Sequence, residues 1–76
     1  MMVNVIYDYG EKVFFNLNGE TISGTVEIID RYGTFEQNEE PSYDIYRKSN
    51  NTLYKHIRQS SILGSHGWAE PDERLS

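Results

Sequence analysis

Residues 13–28 read VFFNLNGETISGTVEI, and the pair Asn18-Gly19 within this stretch is a strong signal for a tight turn. A type I′ turn requires positive φ at both central residues, which asparagine and glycine adopt at low steric cost. After the turn, residues alternate with a period of two, as in a half-buried antiparallel strand. The stretch therefore predicts a β-hairpin, with a bulge or bend at the mid-strand glycine. The side chains expected on the core face of its second strand are Ile22, Gly24, Val26 and Ile28.

A second hairpin is predicted further along the chain, with strands over residues 42–47 and 52–57 joined by residues 48–51. Before it, residues 37–41 are polar and end in a proline, which predicts an exposed loop. Alternation divides the side chains of this hairpin between two faces. The inner set is Tyr43, Ile45, Leu53 and Ile57, and the outer set is Asp44, Tyr46, Tyr54 and His56. Alternation places Lys55 on the same inner face as Leu53 and Ile57. Because a lysine is charged, we expect it at the rim of the fold or at a local irregularity of its strand.

Three further segments complete the expected fold. Residues 3–6 alternate as a candidate first strand, Ser60-Ser61 predicts a single 3-10 turn, and residues 64–76, with the lone Trp68, predict a mobile tail. Short strands with regular turn signals and no long helical period indicate an all-β protein. We expect a five-stranded SH3-like barrel of antiparallel hairpins over residues 1–63, followed by a C-terminal tail over residues 64–76.

Composition limits the classes of function. Seventy-six residues provide one small core, which disfavours the deep cleft of an ordinary small-molecule enzyme. The chain has no cysteine, which excludes disulfides and thiol chemistry and favours the cytoplasm. No apolar run is long enough to span a membrane, so no membrane association is expected.

Charge is unevenly distributed along the chain. Between Asp8 and Glu40 there are eight acidic and two basic residues. Residues 43–63 instead carry a net charge of +3, although the whole chain has a net charge of −5. This asymmetry favours a polarised surface. The alternative is ordinary solvation with pairing of charges inside the molecule.

Candidate chemical sites are sparse. His56 and His66 are ten residues apart, which matches no compact zinc spacing, and each is interpreted as a structural or tail histidine. Four acidic residues of the loop and the strand that follows it lack the ligand spacing of a calcium-binding loop. The sequence also has no phosphate-binding glycine motif. We therefore expect no catalytic residues, no metal and no cofactor. The acidic residues meant here are Glu36, Glu39, Glu40 and Asp44.

Two resemblances to known families accompany this interpretation. Val5-Ile6-Tyr7-Asp8-Tyr9 resembles the ALYDY signature of eukaryotic SH3 domains, but the tryptophan pair and the later proline motif of that family are missing. Gly10-Glu11-Lys12-Val13, with the later Gly24-Thr25-Val26, is similar to bacterial SH3-like modules of the KOW and Tudor kind. Residues 27–57 also resemble short proteins of bacterial genomes and mobile elements. These resemblances imply a bacterial, cytoplasmic accessory protein and assign no functional residue.

The second hairpin is the preferred candidate for a binding surface. Aromatic and basic residues interleave there, a pattern that suits a protein partner or single-stranded nucleic acid. The net negative charge favours a protein partner over nucleic acid. We expect the protein itself to be a monomer or a weak dimer. The alternatives are nucleic-acid association, an acidic face that mimics DNA, or cross-strand packing alone. The candidate residues are Tyr46, Tyr54, His56, Arg47, Lys48, Lys55 and Arg58.

Overall fold

The computed structural model of the protein describes residues 4–65. Five strands form one antiparallel sheet with the order β4-β3-β2-β1-β5, so that β4 and β5 are its two edges. Two 3-10 turns, Lys48–Asn50 and Gln59–Ser61, precede β4 and β5. The all-β prediction with five strands is confirmed. The strands are β1 (Lys12–Leu17), β2 (Glu20–Asp30), β3 (Ser42–Arg47), β4 (Thr52–Arg58) and β5 (Ile62–Ser65).

The first hairpin has the predicted turn and the predicted register. Asn18 and Gly19 have φ values of 52° and 86°, which are the positive angles that the turn was expected to require. Leu17 pairs with Glu20 across the turn, and the ladder continues without interruption to Lys12. The 3-10 turn expected at Ser60-Ser61 and the two strands of the second hairpin are confirmed as well.

The fifth strand is not the one that the sequence predicted. Within the expected strand 3–6, the described residues Asn4 to Ile6 form no strand, and β1 instead pairs with β5 at the end of the described residues. The amide side chain of Gln59 holds the N-terminal segment in place of a strand ladder. Its Nε2 donates to the Asn4 carbonyl at 2.8 Å, and its Oε1 accepts from the Ile6 amide at 3.2 Å. Gly64 and Ser65 thus belong to β5, whereas Trp68 and His66 lie outside the described residues.

The core lies on the inner face of the sheet. It receives side chains from every strand, and Tyr7 from the N-terminal segment packs edge-to-face on Tyr43, with ring centroids 5.8 Å apart. Burial of such side chains is the main favourable term in folding a small domain. The buried core residues are Val13, Phe15, Ile22, Val26, Tyr43, Ile45, Ile57 and Ile62.

A bulge in β2 changes which side chains face the core. Val26 pairs with Ile45 and Ile28 pairs with Asp44, so β2 has one residue more than β3 at this point. An extra residue reverses the alternation beyond it. Ile28 is therefore 50% exposed on the outer face, and Ile29 packs against the core. The prediction that Ile28 faces inward is wrong for this reason.

A second bulge, in β4, lies opposite the same residue of β3. Tyr43 pairs with Ile57 and Ile45 pairs with Tyr54, which leaves Lys55 and His56 together opposite Asp44. His56 has a left-handed φ of 59°. Its backbone N–H donates to Oδ1 of Asp44 at 3.0 Å, so that the carboxylate satisfies a donor next to the bulge. This bulge is the local irregularity that explains why Lys55 is exposed.

The mid-strand glycine allows a close approach of β3 to β2. A Cβ atom at Gly24 would lie 2.7 Å from both Cγ2 of Ile45 and the carbonyl oxygen of Tyr46. The position therefore accepts only glycine without a shift of β3. The bulge itself lies two to four residues further along β2.

Among residues 4–65, no helix has the length and apolar character that are needed to cross a membrane.

Candidate partner-binding surface

An apolar patch on the outer face of the sheet is formed by Ile28, Tyr46 and Leu53, from the three adjacent strands β2, β3 and β4. Tyr46 pairs directly with Leu53, and the three side chains line one depression of about 460 Å³ together with Glu27. Ile28 is 50% exposed and Leu53 is 40% exposed. The two bulges are responsible for this patch, since a regular alternation would bury both aliphatic side chains.

A basic depression adjoins this apolar patch. It has a volume of about 230 Å³, and Lys12, Arg47 and Lys48 line it together with Tyr46, which also lines the apolar depression. Nε of Arg47 donates to Oγ of Ser49 at 2.8 Å, which orients the guanidinium group at the turn. The remaining lining residues are small or polar, so positive charge dominates this part of the surface.

The predicted outer aromatic pair is divided between the two faces of the sheet. Tyr46 lies on the outer face as expected, and its hydroxyl donates to Oδ1 of Asn51. Tyr54 instead faces the core, and its ring packs edge-to-face on Phe15 with a centroid distance of 5.4 Å. The predicted positions of Leu53 and Tyr54 are therefore wrong, because the bulge in β4 exchanges their faces.

The basic residues of the second hairpin fall into two groups. Arg47 and Lys48 lie at the turn beside Tyr46. Lys55 and Arg58 are exposed on β4, and neither lines the basic or the apolar depression. The structure thus brings together only part of the predicted basic and aromatic set.

A third depression, of about 480 Å³, lies at the other end of the outer face. His56 lines it together with Asp30, Glu36 and Phe35, whose side chain is fully exposed at 101%. Phe35 belongs to the segment between β2 and β3, where the sequence predicted an exposed loop over residues 37–41.

Buried Gln37 orders this loop from within. Its Oε1 accepts from the amides of Glu39 and Glu40 at 3.0 Å each, and its Nε2 donates to the Glu40 carbonyl at 3.1 Å. The carboxylate of Glu40 accepts from the backbone N–H and the hydroxyl of Ser60 at 2.7 and 2.8 Å. The loop is therefore ordered internally by Gln37 and attached to the rest of the fold through Glu40 and Ser60. Gln37 and Pro41 are buried, so exposure of all of residues 37–41 was a wrong expectation.

Two tyrosines have a raised pKa: Tyr43, which is buried in the core, and Tyr7, which is partly buried and packs against it. Desolvation by burial raises the pKa of Tyr43, and the same cause, with the nearby charge of Glu11, raises the pKa of Tyr7. The hydroxyl of Tyr43 donates to Oε1 of Gln59. Both groups therefore stay neutral at physiological pH and serve packing. Within residues 4–65, no three His, Asp or Glu side chains are arranged to hold a metal ion.

Among the basic and large apolar residues that line these three depressions, sequence reasoning missed four: Lys12, Ile28, Leu53 and Phe35. Phe35 had a usable signal, because an aromatic residue in a polar segment has few ways to be buried. Ile28 and Leu53 had no such signal, because regular alternation along their strands places each of them on the core face. Lys12 is distant in sequence from the second hairpin and comes close only through the pairing of β1, β2 and β3.

No protein-family model matches this chain, and neither does any curated protein or solved structure.

Proposed function

We propose that the protein is a non-enzymatic interaction module with an SH3-like barrel architecture, which binds a protein partner in a bacterial cytoplasm. Two features support the architecture. β1 serves both the first hairpin and β5, and the eleven-residue β2 contains a bulge and a tightly packed glycine at which a strand bends. In the proposed architecture the sheet wraps around a single small core and presents its outer face to partners.

The observation that carries the proposal is the apolar patch of Ile28, Tyr46 and Leu53. Apolar side chains that are exposed singly need no explanation, but a contiguous exposed group on a sheet face is typical of an interaction site. Each square ångström of apolar surface removed from water contributes about 25 cal/mol, so covering this patch favours association.

The surroundings of the patch suit a protein partner. Tyrosine and arginine are enriched at binding hot spots, and Tyr46 and Arg47 lie together at one side of it. Charged side chains of both signs, Glu27 on one side and Lys48 on the other, provide a polar rim. The proposal keeps Tyr46, Arg47 and Lys48 from the predicted set and adds Ile28 and Leu53.

Affinity capture with matched variants tests this function. We expect the double variant Ile28→Asp with Leu53→Asp to lose its partner while it retains the fold, because two carboxylates interrupt the apolar patch. The control is Ile6→Asp with Leu63→Asp, which adds the same charge at apolar side chains that are 64% and 53% exposed elsewhere. A partner that both double variants retain, or that both lose, would contradict the assignment of the surface.

A second candidate function is supported by the basic depression. Lys12, Arg47 and Lys48 converge beside the ring of Tyr46, and cations with an aromatic ring can hold the phosphates and a base of a single strand. Such binding must weaken steeply with salt, because phosphate neutralisation releases counterions. Fluorescence anisotropy with single- and double-stranded oligonucleotides at low salt distinguishes the two functions. The absence of binding at about 10–100 µM protein, where even non-specific sites are partly occupied, would eliminate this candidate.

A further inference from the structure

The three cations of the basic depression lack a counter-charge. In the part of the chain that the structure describes, no carboxylate forms an ion pair with Lys12, Arg47 or Lys48. The acid next to Lys12 in the sequence is engaged elsewhere, because Oε1 of Glu11 accepts from the backbone N–H of Asp8 at 2.9 Å. Positive charges that share a depression without an internal partner attract an anionic group from outside. The depression is therefore suited to an anionic ligand.

An outer-face row of paired residues joins the basic depression to the apolar patch. Lys12 pairs with Thr25, and Thr25 pairs with Tyr46. Tyr46 in turn pairs with Leu53. Paired residues of adjacent strands share one face of a sheet. Because Tyr46 lines both depressions, they form one continuous surface with a basic end and an apolar end.

This surface has the length of a short peptide segment. The row crosses the four adjacent strands from β1 to β4, which lie about 4.8 Å apart, so Lys12 and Leu53 are roughly 14 Å from each other. An extended chain advances about 3.3 Å per residue, so about four or five residues span the row. One extended segment can therefore place an apolar side chain at one end and acidic side chains at the other.

The charges around the apolar patch favour a peptide over a nucleic acid. Glu27 lines the apolar depression, and its carboxylate would repel a phosphate backbone that continued across the patch. The cations lie at one end only, whereas a single strand carries phosphates along its whole length. Ile28 and Leu53 are aliphatic and provide no ring on which a base could stack. An acidic peptide suits both ends of the surface.

From these observations we infer that the ligand of this surface is a short, extended, acidic segment of a protein partner. One bulky apolar side chain of the segment lies on the patch of Ile28, Tyr46 and Leu53, and its carboxylates lie in the basic depression. The inference rests on the proposed function, which assigns a protein partner to this surface, and it adds the chemistry that the partner presents. The carboxylates supply the counter-charge that the three cations lack.

Fluorescence anisotropy with synthetic peptides tests the inference. The probe is a fluorescein-labelled peptide in which one leucine is followed, after a glycine, by three glutamates. We expect saturable binding that weakens about tenfold between about 0.1 M and 1 M salt, because the Debye length falls from about 10 Å to about 3 Å. Two matched peptides carry glutamine in place of glutamate or serine in place of leucine. Each should bind about tenfold more weakly, since it loses one of the two contacts.

Charge variants of the protein provide the matched comparison. Lys12→Glu with Lys48→Glu should weaken binding of the glutamate peptide about tenfold, because attraction becomes repulsion. Lys55→Glu with Arg58→Glu changes the net charge equally, but at exposed residues that line neither depression, and should change the affinity by less than about twofold. The glutamine peptide should bind to the wild type and to both variants alike, which separates the loss of charge attraction from a damaged fold.

Three results would overturn the inference. One is that the glutamate peptide does not bind, or binds no more tightly than the glutamine peptide. Another is an equal response of the Lys12/Lys48 and Lys55/Arg58 variants. The third is displacement of the probe by a thymidine decamer at a lower concentration than by the unlabelled peptide, which would assign the surface to single-stranded nucleic acid.

Failure of this inference is distinguishable from failure of the proposed function. If the peptides fail while Ile28→Asp with Leu53→Asp still loses its captured protein, the proposed function stands and only the acidic chemistry of the partner is wrong. A captured protein that both aspartate double variants retain contradicts the proposed function instead.

Discussion

The two hairpins differ in how regular their strands are. The first hairpin has an uninterrupted ladder from Lys12 to Leu17 with its partner strand, and every side chain faces where alternation places it. The second hairpin contains a bulge at Lys55 and His56, and β2 contains another where it leaves the first hairpin. Alternation therefore predicts facing correctly up to a bulge and incorrectly beyond it.

The bulges also give the outer face its character. Both lie opposite Asp44, and together they turn Ile28 and Leu53 out of the core. Because β4 is an edge strand, its bulge and the exposed Lys55 interrupt the flat row of backbone groups that would invite pairing with another chain. The irregular half of the sheet is thus protected against edge pairing, and it carries the exposed apolar patch.

The largest loss of stability is expected in the bulged second hairpin, at the neighbouring residues Leu53 and Tyr54, whose faces the bulge exchanges. Tyr54→Ala should lower the free energy of unfolding by about 2–4 kcal/mol, because it removes a ring that packs on Phe15 in the core. Leu53→Ala should cost about 1 kcal/mol or less, because its side chain is already 40% exposed. Chemical denaturation measures both, and the opposite ranking would mean that β4 has no bulge.

The regular hairpin should be most sensitive at its turn. Gly19→Val forces a β-branched residue to a φ of 86°, and we expect a loss of about 1–3 kcal/mol in unfolding free energy. The control is Glu39→Ala, an exposed position in the loop between the hairpins, with an expected change of about 0.5 kcal/mol or less. Equal denaturation midpoints for the two variants would contradict the assignment of the turn.

The bulge in β2 can be tested by two adjacent isoleucines. Ile29→Ala should destabilise the protein by about 1–2 kcal/mol, since this half-buried side chain packs against the core. Ile28→Ala should change the stability by about 0.5 kcal/mol or less, because it removes atoms from the exposed patch. Thermal unfolding of the pair measures the difference, and a larger loss for Ile28→Ala would restore the regular alternation.

The smallest effect is expected at the left-handed residue of β4. His56→Gly relieves a φ of 59°, and this gain roughly offsets the greater freedom of glycine in the unfolded chain, so the net change should stay within about 0.5 kcal/mol. Lys55→Gly has no such relief and should lose about 0.5–1 kcal/mol. If denaturant titration shows a larger loss of stability for His56→Gly than for Lys55→Gly, the assignment of a left-handed backbone to His56 is wrong.

The sequence by itself determined the elements that depend on local chemistry. Asn18-Gly19 specifies its turn through positive φ, and the strands over residues 42–47 and 52–57 follow from alternation between polar breaks. The all-β class and the five-strand count follow from the same local signals, although the sequence placed one of the five strands at residues 3–6 instead of Ile62–Ser65.

Only the tertiary structure decided which strand completes the sheet and which side chains form the outer surface. β5 pairs with β1 across most of the chain length, and Gln59 holds the N-terminal segment through contacts with residues more than fifty positions away. The bulges opposite Asp44 depend on how three strands align, and a shift of one residue there exchanges Ile28 for Ile29 and Leu53 for Tyr54. Because side chains alternate with a period of two, the facing of a residue depends on register, and register is set by strands that are distant in sequence.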